Sequence, residues 1–240
     1  MITFNQLGNY GRLGKQMFQY SFLFSLAKQK NYSFCIPPNT DLEKCFNLSC
    51  SINFYNPTKK KHEPHFQFDS KFPSEYSDNC NYSGYFQTEK YFKSVNIELI
   101  NEFKFKEEHK VNNKDYSNIV SIHIRRGDYV NNPHHPTANF SYLQLAKSQF
   151  NNKKFLVFSD DIEWCKSHMI GDLYSSNINH YQDLYEMTLC SGSIIANSSF
   201  SWWGAYLTSK EKIIAPKSWF SGGLANTNWQ DIYCENWIIL

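Results

Sequence analysis

Apolar positions in the second half of the chain alternate between two rhythms. Residues 118–124, 154–158, 193–196 and 212–215 are short apolar runs that read as buried strands. Between them, residues 142–150, 160–168, 183–190 and 200–209 carry apolar positions at helical spacing, and residues 178–181 read as one more short strand. Strands alternating with helices predict a parallel, doubly wound α/β sheet. The first half starts the same way. Residues 1–6 read as a strand, followed by a glycine turn at Gly8, Gly11 and Gly14. Met17, Phe18, Tyr20, Leu23, Phe24 and Leu26 then mark a helix running to about Lys30. Residues 33–36 suggest a second strand, ended by Pro37-Pro38. Residues 39–80 are polar and proline-broken and predict loops and short elements, with Lys59-Lys60-Lys61-His62 as a solvated loop. Residues 82–86 suggest a strand, 88–92 a helix start, 94–105 a helix and 106–116 a polar linker. No fixed-period repeat is present.

Composition narrows the class. At 240 residues, 41% hydrophobic and 19% charged, the chain can bury a sizeable core and does not read as disordered. Its many aromatic residues read first as core filling. A net charge of +2 is too small to point to nucleic acid as a partner. The 7 cysteines are odd in number and form no Cys-x-x-Cys pair, which argues against a disulfide framework or zinc site and for reduced thiols in a cytoplasmic protein. The start, Met-Ile-Thr-Phe-Asn, is not a signal peptide, and no run of about 18 apolar residues reads as a membrane span. A peripheral contact with the inner membrane face stays open.

Candidate chemistry sits where strands end, the usual ligand position in an open parallel sheet. After the run ending at residue 122 comes His123-Ile124-Arg125-Arg126-Gly127-Asp128-Tyr129. Two adjacent arginines there suit phosphate oxygens, and Asp128 suits either holding an arginine or taking a proton. The same residues also read as a surface turn with a salt bridge. The turn Gly11-Arg12-Leu13-Gly14-Lys15-Gln16 precedes a helix, whose N–H groups favour an anion to which Lys15 adds charge, although a plain turn explains it as well. Asp160 with Glu163 reads as a capping box, which leaves Asp161 to accept hydrogen bonds from a base; a metal ranks third. Asn197, Ser198, Ser199 and Phe200 follow another strand, where hydroxyls and helix N–H groups suit phosphate or a cap equally. Of the adjacent Trp202 and Trp203, one is expected inside and one lining a cleft.

These segments, in this order, resemble the bacterial and animal α1,2-fucosyltransferase family. The matching stretches are residues 11–20 (Gly-Arg-Leu-Gly-Lys-Gln-Met-Phe-Gln-Tyr), 84–92 (Gly-Tyr-Phe-Gln-Thr-Glu-Lys-Tyr-Phe) and 123–129, with 158–164 and 195–204 (Ile-Ala-Asn-Ser-Ser-Phe-Ser-Trp-Trp-Gly). The resemblance implies a GT-B fold of two Rossmann-like lobes with the donor site in the cleft and the N-terminal lobe reduced. Residues 1–110 would form the acceptor-side lobe and residues 111–240 the GDP-sugar-binding lobe, with the tail free to return to the first. It also implies inverting transfer from GDP-fucose to the 2-hydroxyl of a galactose-terminated acceptor, without a metal or other cofactor. By similarity, Arg125 or Arg126 grips the β-phosphate. His123 and Asp161 face the guanosine and Ser198 and Ser199 the diphosphate, with Asp160, Asn197, Phe200, Gly14, Lys15 and Gln16 also on the donor side. Tyr85, Gln87 and Glu89 fall on the acceptor side. Lys15 stands where the family has Asn, and the loop after Tyr129, Asn-Asn-Pro-His-His-Pro, departs from the family pattern. Two other readings stay beside this one: a non-catalytic glycan- or nucleotide-binding relic, and a transferase using another GDP-sugar or acceptor.

Overall fold

The computed structural model describes residues 1–72, 77–111, 114–137 and 139–240. The chain divides into two compact units, Met1–Lys106 with Asn228–Cys234, and Glu107–Thr227 with Glu235–Leu240. The linker expected at 106–116 instead opens the second unit with a single 3-10 turn, Glu107–His109. Its positions 112 and 113 lie outside the described residues, as do positions 73–76 of the 39–80 stretch.

The first unit is built on five parallel strands, β1 (Ile2–Thr3), β2 (Phe34–Ile36), β3 (Ser51–Ile52), β4 (Lys59–His62) and β5 (Cys80–Ser83), in the order β3-β2-β1-β5-β4. Its helices are α1 (Leu13–Lys30), α2 (Asp41–Cys45) and α3 (Asn96–Glu102). Helix α1 is buried almost all round, so its polar residues need internal partners. Gln19 donates to the Gly84 carbonyl at 2.9 Å, and Tyr20 donates to Glu102 at 2.6 Å. Phe22 stacks on Phe86 at 3.8 Å, which confirms core filling for much of the aromatic content.

Two expectations fail here. The run from Lys59 to His62 is a strand, because pairing with β5 satisfies its backbone while its charged side chains guard an exposed sheet edge. The strand expected at 82–86 lies at Cys80–Ser83, since Gly84 (φ +144°) and Phe86 (φ +51°) turn the chain out of extended geometry.

The second unit holds six parallel strands: β6 (Ile119–Ile124), β7 (Lys154–Ser159), β8 (Leu173–Tyr174), β9 (Gly192–Ile194), β10 (Ile213–Ala215) and β11 (Ile238–Ile239). Their order is β11-β10-β9-β6-β7-β8. Helices α4 (Phe140–Lys147), α5 (Ile162–Ser167), α6 (His180–Leu189) and α7 (Ser199–Tyr206) alternate with them. Val120, Ile122, Val157, Ile194 and Ile214 from four strands meet Leu143 and Ala146 of α4 in the core. The chain leaves β6 through β7 and β8 on one side, then returns to build β9, β10 and β11 on the other. The switch in direction lies between β6 and β9, where such sheets bind ligands.

Residues 178–181, read as a strand, instead start α6, because the Asn179 side chain accepts the N–H groups of Tyr181 and Gln182 and caps the helix. Trp202 and Trp203 are both fully buried, so neither lines a cleft. Trp202 stacks on Tyr206 at 4.5 Å and meets Trp237 at 5.3 Å, while Trp203 packs edge-on against Tyr206 at 5.5 Å. Among the described residues no helix is long and apolar enough to cross a membrane.

Candidate active site

Three adjacent strands of the second unit, β7, β6 and β9, deliver three of the sequence candidates to one sheet edge. Strand β6 ends at Ile124 and delivers Arg125 and Arg126 directly beyond its carboxyl end. Asp160, at the end of β7, organises the turn. One oxygen accepts the Arg126 backbone N–H at 2.8 Å, and the other pairs with the Arg125 guanidinium at 2.8 Å. The capping-box reading therefore assigned the wrong carboxylate. Asp161, not Asp160, is the N-cap of α5, accepting the Trp164 N–H at 3.3 Å.

Asp161 also takes the Arg126 Nε–H at 2.9 Å, and that charge-assisted bond holds its carboxyl below the usual range. Arg126 lies over the Trp164 ring at 3.8 Å. Held by its Nε and one face, it keeps its two terminal nitrogens without a protein partner among the described residues. Arg125 is bonded to Asp128 as well as Asp160, and sits 5.6 Å from the Tyr129 ring. Asp128 is more than half exposed, so its ion pair with Arg125 is readily exchanged for another anion. Gly127 is needed because a Cβ there would lie 2.5 Å from the Asp160 carboxylate.

Beside the arginines, His123 is buried, and its Nδ1 has no hydrogen-bond partner. Burial pushes its pKa down to about 4, Asp160 opposing and Arg125 assisting, so the ring is neutral at pH 7. The ring packs 5.5 Å from Phe200. Phe200 belongs to the first turn of α7, whose N-cap Ser198 makes no side-chain cap bond. The dipole end of α7 thus keeps N–H donors for an anion. Asn197 is committed elsewhere: its amide donates to the Trp219 carbonyl at 3.0 Å, and its own carbonyl accepts the Tyr129 hydroxyl at 3.1 Å. Tyr129 also stacks on His135 at 4.6 Å, which ties the unusual loop back to the site. Trp164 and Tyr129 went unassigned in the sequence, although both lie within the matched segments.

The glycine turn belongs to the other sheet, after β1, so it does not share the edge carrying the other three segments. Gly14 is buried inside α1 rather than in the turn, because the helix already starts at Leu13. Gln16 is 3% exposed and spent on internal bonds to the Gly11 carbonyl, Asp41 and the Leu42 N–H. Lys15 lies over the Tyr85 ring at 5.2 Å, so the turn meets the 84–92 stretch within the first unit. Gln87 is buried, and Glu89 pairs with Lys93 at 3.8 Å on a 3-10 turn.

A model of glycosyltransferase family 11 matches residues 2–240. The chain belongs to that family. The resemblance to α1,2-fucosyltransferases is thereby borne out. An Escherichia coli alpha-1,2-colitosyltransferase is 32% identical to this family 11 glycosyltransferase, over 88% of the chain and 90% of that protein. The galactoside 2-alpha-L-fucosyltransferase Sec1 of Mus musculus is 25% identical over 85% of the chain, which spans 64% of the mouse protein. Among solved structures, NodZ alpha-1,6-fucosyltransferase, soaked with GDP-fucose, superposes with a TM-score of 0.53 at 11% identity, covering 95% of this chain and 96% of that one. At that identity the likeness speaks for fold alone. The two Rossmann-like units are those of a GT-B glycosyltransferase, as expected.

Proposed function

We propose that this glycosyltransferase transfers L-fucose from GDP-fucose, with inversion, to the 2-hydroxyl of a terminal galactoside. The observation that carries the reading is the edge formed by β7, β6 and β9, where Arg125, Arg126 and the uncapped start of α7 offer a concentrated set of donors. Such a set suits a diphosphate. The named activity of the animal relative supplies the sugar and acceptor, and both relatives' names carry the 1,2 linkage. Proteins of related fold include POFUT1, solved in complex with GDP, and NodZ, soaked with GDP-fucose.

In this mechanism the acceptor hydroxyl attacks the anomeric carbon as the bond to the β-phosphate breaks. Negative charge grows on the departing phosphate. Guanidinium donors already fixed by Asp160, Asp161 and Trp164 stabilise it without reorganising. Removing one donor costs on the order of 3 kcal/mol in the transition state. No metal is needed in this scheme, because the arginines meet the charge. Asp160 holds Arg125 while the exposed Asp128 yields its place to the diphosphate, and the leaving phosphate then takes the acceptor proton. His123, neutral and with Nδ1 unengaged, can accept one hydrogen bond from the nucleoside or donate one to it, depending on its tautomer.

The colitosyltransferase relative favours a second reading, with colitose as the transferred sugar. Incubation with GDP-fucose or GDP-colitose and a panel of galactosides, in EDTA, separates the two. Fucosylated product with an α1,2 linkage by NMR is expected. Transfer from GDP-colitose alone replaces the donor, loss of turnover in EDTA refutes metal independence, and absence of GDP binding by calorimetry overturns the enzyme reading. Arg125→Ala and Arg126→Ala should each cut turnover on the order of 100-fold with the fold intact. Full activity in both variants overturns the phosphate role of the pair.

A further inference from the structure

We propose that a crevice in the first unit binds a neutral pyranoside, the terminal sugar of the acceptor, by stacking on Phe54. The proposal rests on the glycosyltransferase reading and moves the acceptor contact away from Tyr85, Gln87 and Glu89. The crevice has a volume of about 360 Å³, within the usual range for small-ligand pockets. It opens beyond the carboxyl ends of β1, β2 and β3, walled by residues of the 5–9 and 37–41 loops and by Phe54.

Its floor is preorganised. Gln16 is fixed by three internal bonds, Thr40 caps α2 through Glu43 at 3.2 Å, and Asn5 donates to the Tyr55 carbonyl at 2.7 Å. Its rim is different. The carboxamides of Asn9 and Asn39 have no protein partner among the described residues, and Asn39 is held in the left-handed region at φ +64°. Phe54 is 75% exposed at the same rim. Asp41 adds a carboxylate, which accepts from Gln16 at 3.2 Å.

Unpaired amides, a carboxylate and a bare aromatic ring are complementary to the hydroxyls and the C–H face of a pyranose ring. Charge excludes the obvious alternative. None of the residues lining the crevice is Lys or Arg, and Asp41 repels anions, so a phosphate or nucleotide finds no counter-charge. The anion-binding chemistry sits in the second unit and the sugar-binding chemistry in the first.

Methyl β-galactoside and lactose provide the probes, with saturation-transfer NMR on the full chain as the readout. Wild type should bind both at millimolar concentration. Phe54→Ala and Asn9→Ala should weaken binding at least about tenfold while GDP affinity and melting temperature stay unchanged, because both residues lie at an exposed rim. No binding of either sugar to wild type, or wild-type affinity in both variants, overturns the proposal. Absence of GDP binding sinks the transferase reading separately, since galactoside binding lost on Phe54→Ala would still support the crevice.

Discussion

Glu63 offers the sharpest quantitative test of how the first unit is held together. Its carboxylate is buried, accepting the N–H of Tyr85 at 2.6 Å and that of Phe86 at 3.0 Å and 3.1 Å. It braces the turn in which Gly84 and Phe86 take positive φ, and a Cβ on Gly84 would lie 2.4 Å from the Glu63 Cβ. Burial outweighs those bonds and pushes the pKa from 4.5 up to about 7. Between about pH 4.5 and about pH 7 the folded chain keeps this proton while the unfolded chain has lost it. The stability that Glu63 supplies is therefore full below about pH 4.5 and falls as pH rises through about 7. A shift of about 2.5 units corresponds to roughly 3 kcal/mol. Glu63→Gln keeps a carbonyl for the two N–H groups and removes the titration. Urea unfolding of both proteins at about pH 5 and about pH 8 isolates the effect, because every other titrating group cancels in the difference. Relative to wild type, the variant should gain about 2.5 kcal/mol between the two pH values, because part of the effect is already lost by about pH 5. A difference that stays constant to within about 0.5 kcal/mol refutes the buried-carboxylate account.

The opposite slope belongs to His123, whose folded pKa of about 4 lies below the 6.5 of the free side chain, so its stability is lost as pH falls from about 6.5 through about 4. NMR of the imidazole should show a neutral ring at about pH 5.5, and a charged ring there contradicts the assignment. Gly127→Ala should push Asp160 off both arginines and lower kcat on the order of 100-fold, with circular dichroism unchanged; undiminished turnover would show that the Asp160 contacts do not position the pair. Lys210 donates to the carbonyls of Met187, Thr188 and Cys190 at the end of α6, and Lys210→Met should cost about 2 kcal/mol in urea unfolding by leaving them unpaired. An unchanged midpoint would mean that water replaces the amine.

Four strands of the second unit, β6, β7, β9 and β10, were legible because each is a local apolar run, and a run of that kind between helical segments has few alternatives in an α/β sheet, whereas β8 and β11, two residues each, are too short to give such a run. The arginine turn was legible for the same reason: it follows such a run directly. The roles of Asp160 and Asp161 were not. Either residue is close enough to α5 to cap it, and local spacing treats them alike. The choice is made by Arg125 and Arg126, more than thirty residues earlier in the chain, which become neighbours only when β6 pairs with β7. The same limit hid β4. Four consecutive residues, Lys-Lys-Lys-His, carry no apolar alternation, and only the unpaired edge of β5 turns them into a strand.

Glu63 shows where such blindness matters for function. It follows β4 directly, so an invisible strand concealed an invisible carboxylate, and that carboxylate shapes the turn presenting Tyr85. The 84–92 stretch was recognised by resemblance, and Tyr85, Gln87 and Glu89 within it were assigned to the acceptor side. Phe86 is a core ring and Gln87 is buried, whereas Tyr85 is exposed and Glu89 pairs with Lys93. A side chain buried in the fold cannot also meet a sugar. Exposed groups with unsatisfied chemistry can, and in the first unit these gather around Phe54, Asn9 and Asn39. Motif matching selected Phe86 and Gln87, which build the lobe, whereas the proposed sugar contact lies with the unpaired groups beyond the strand ends.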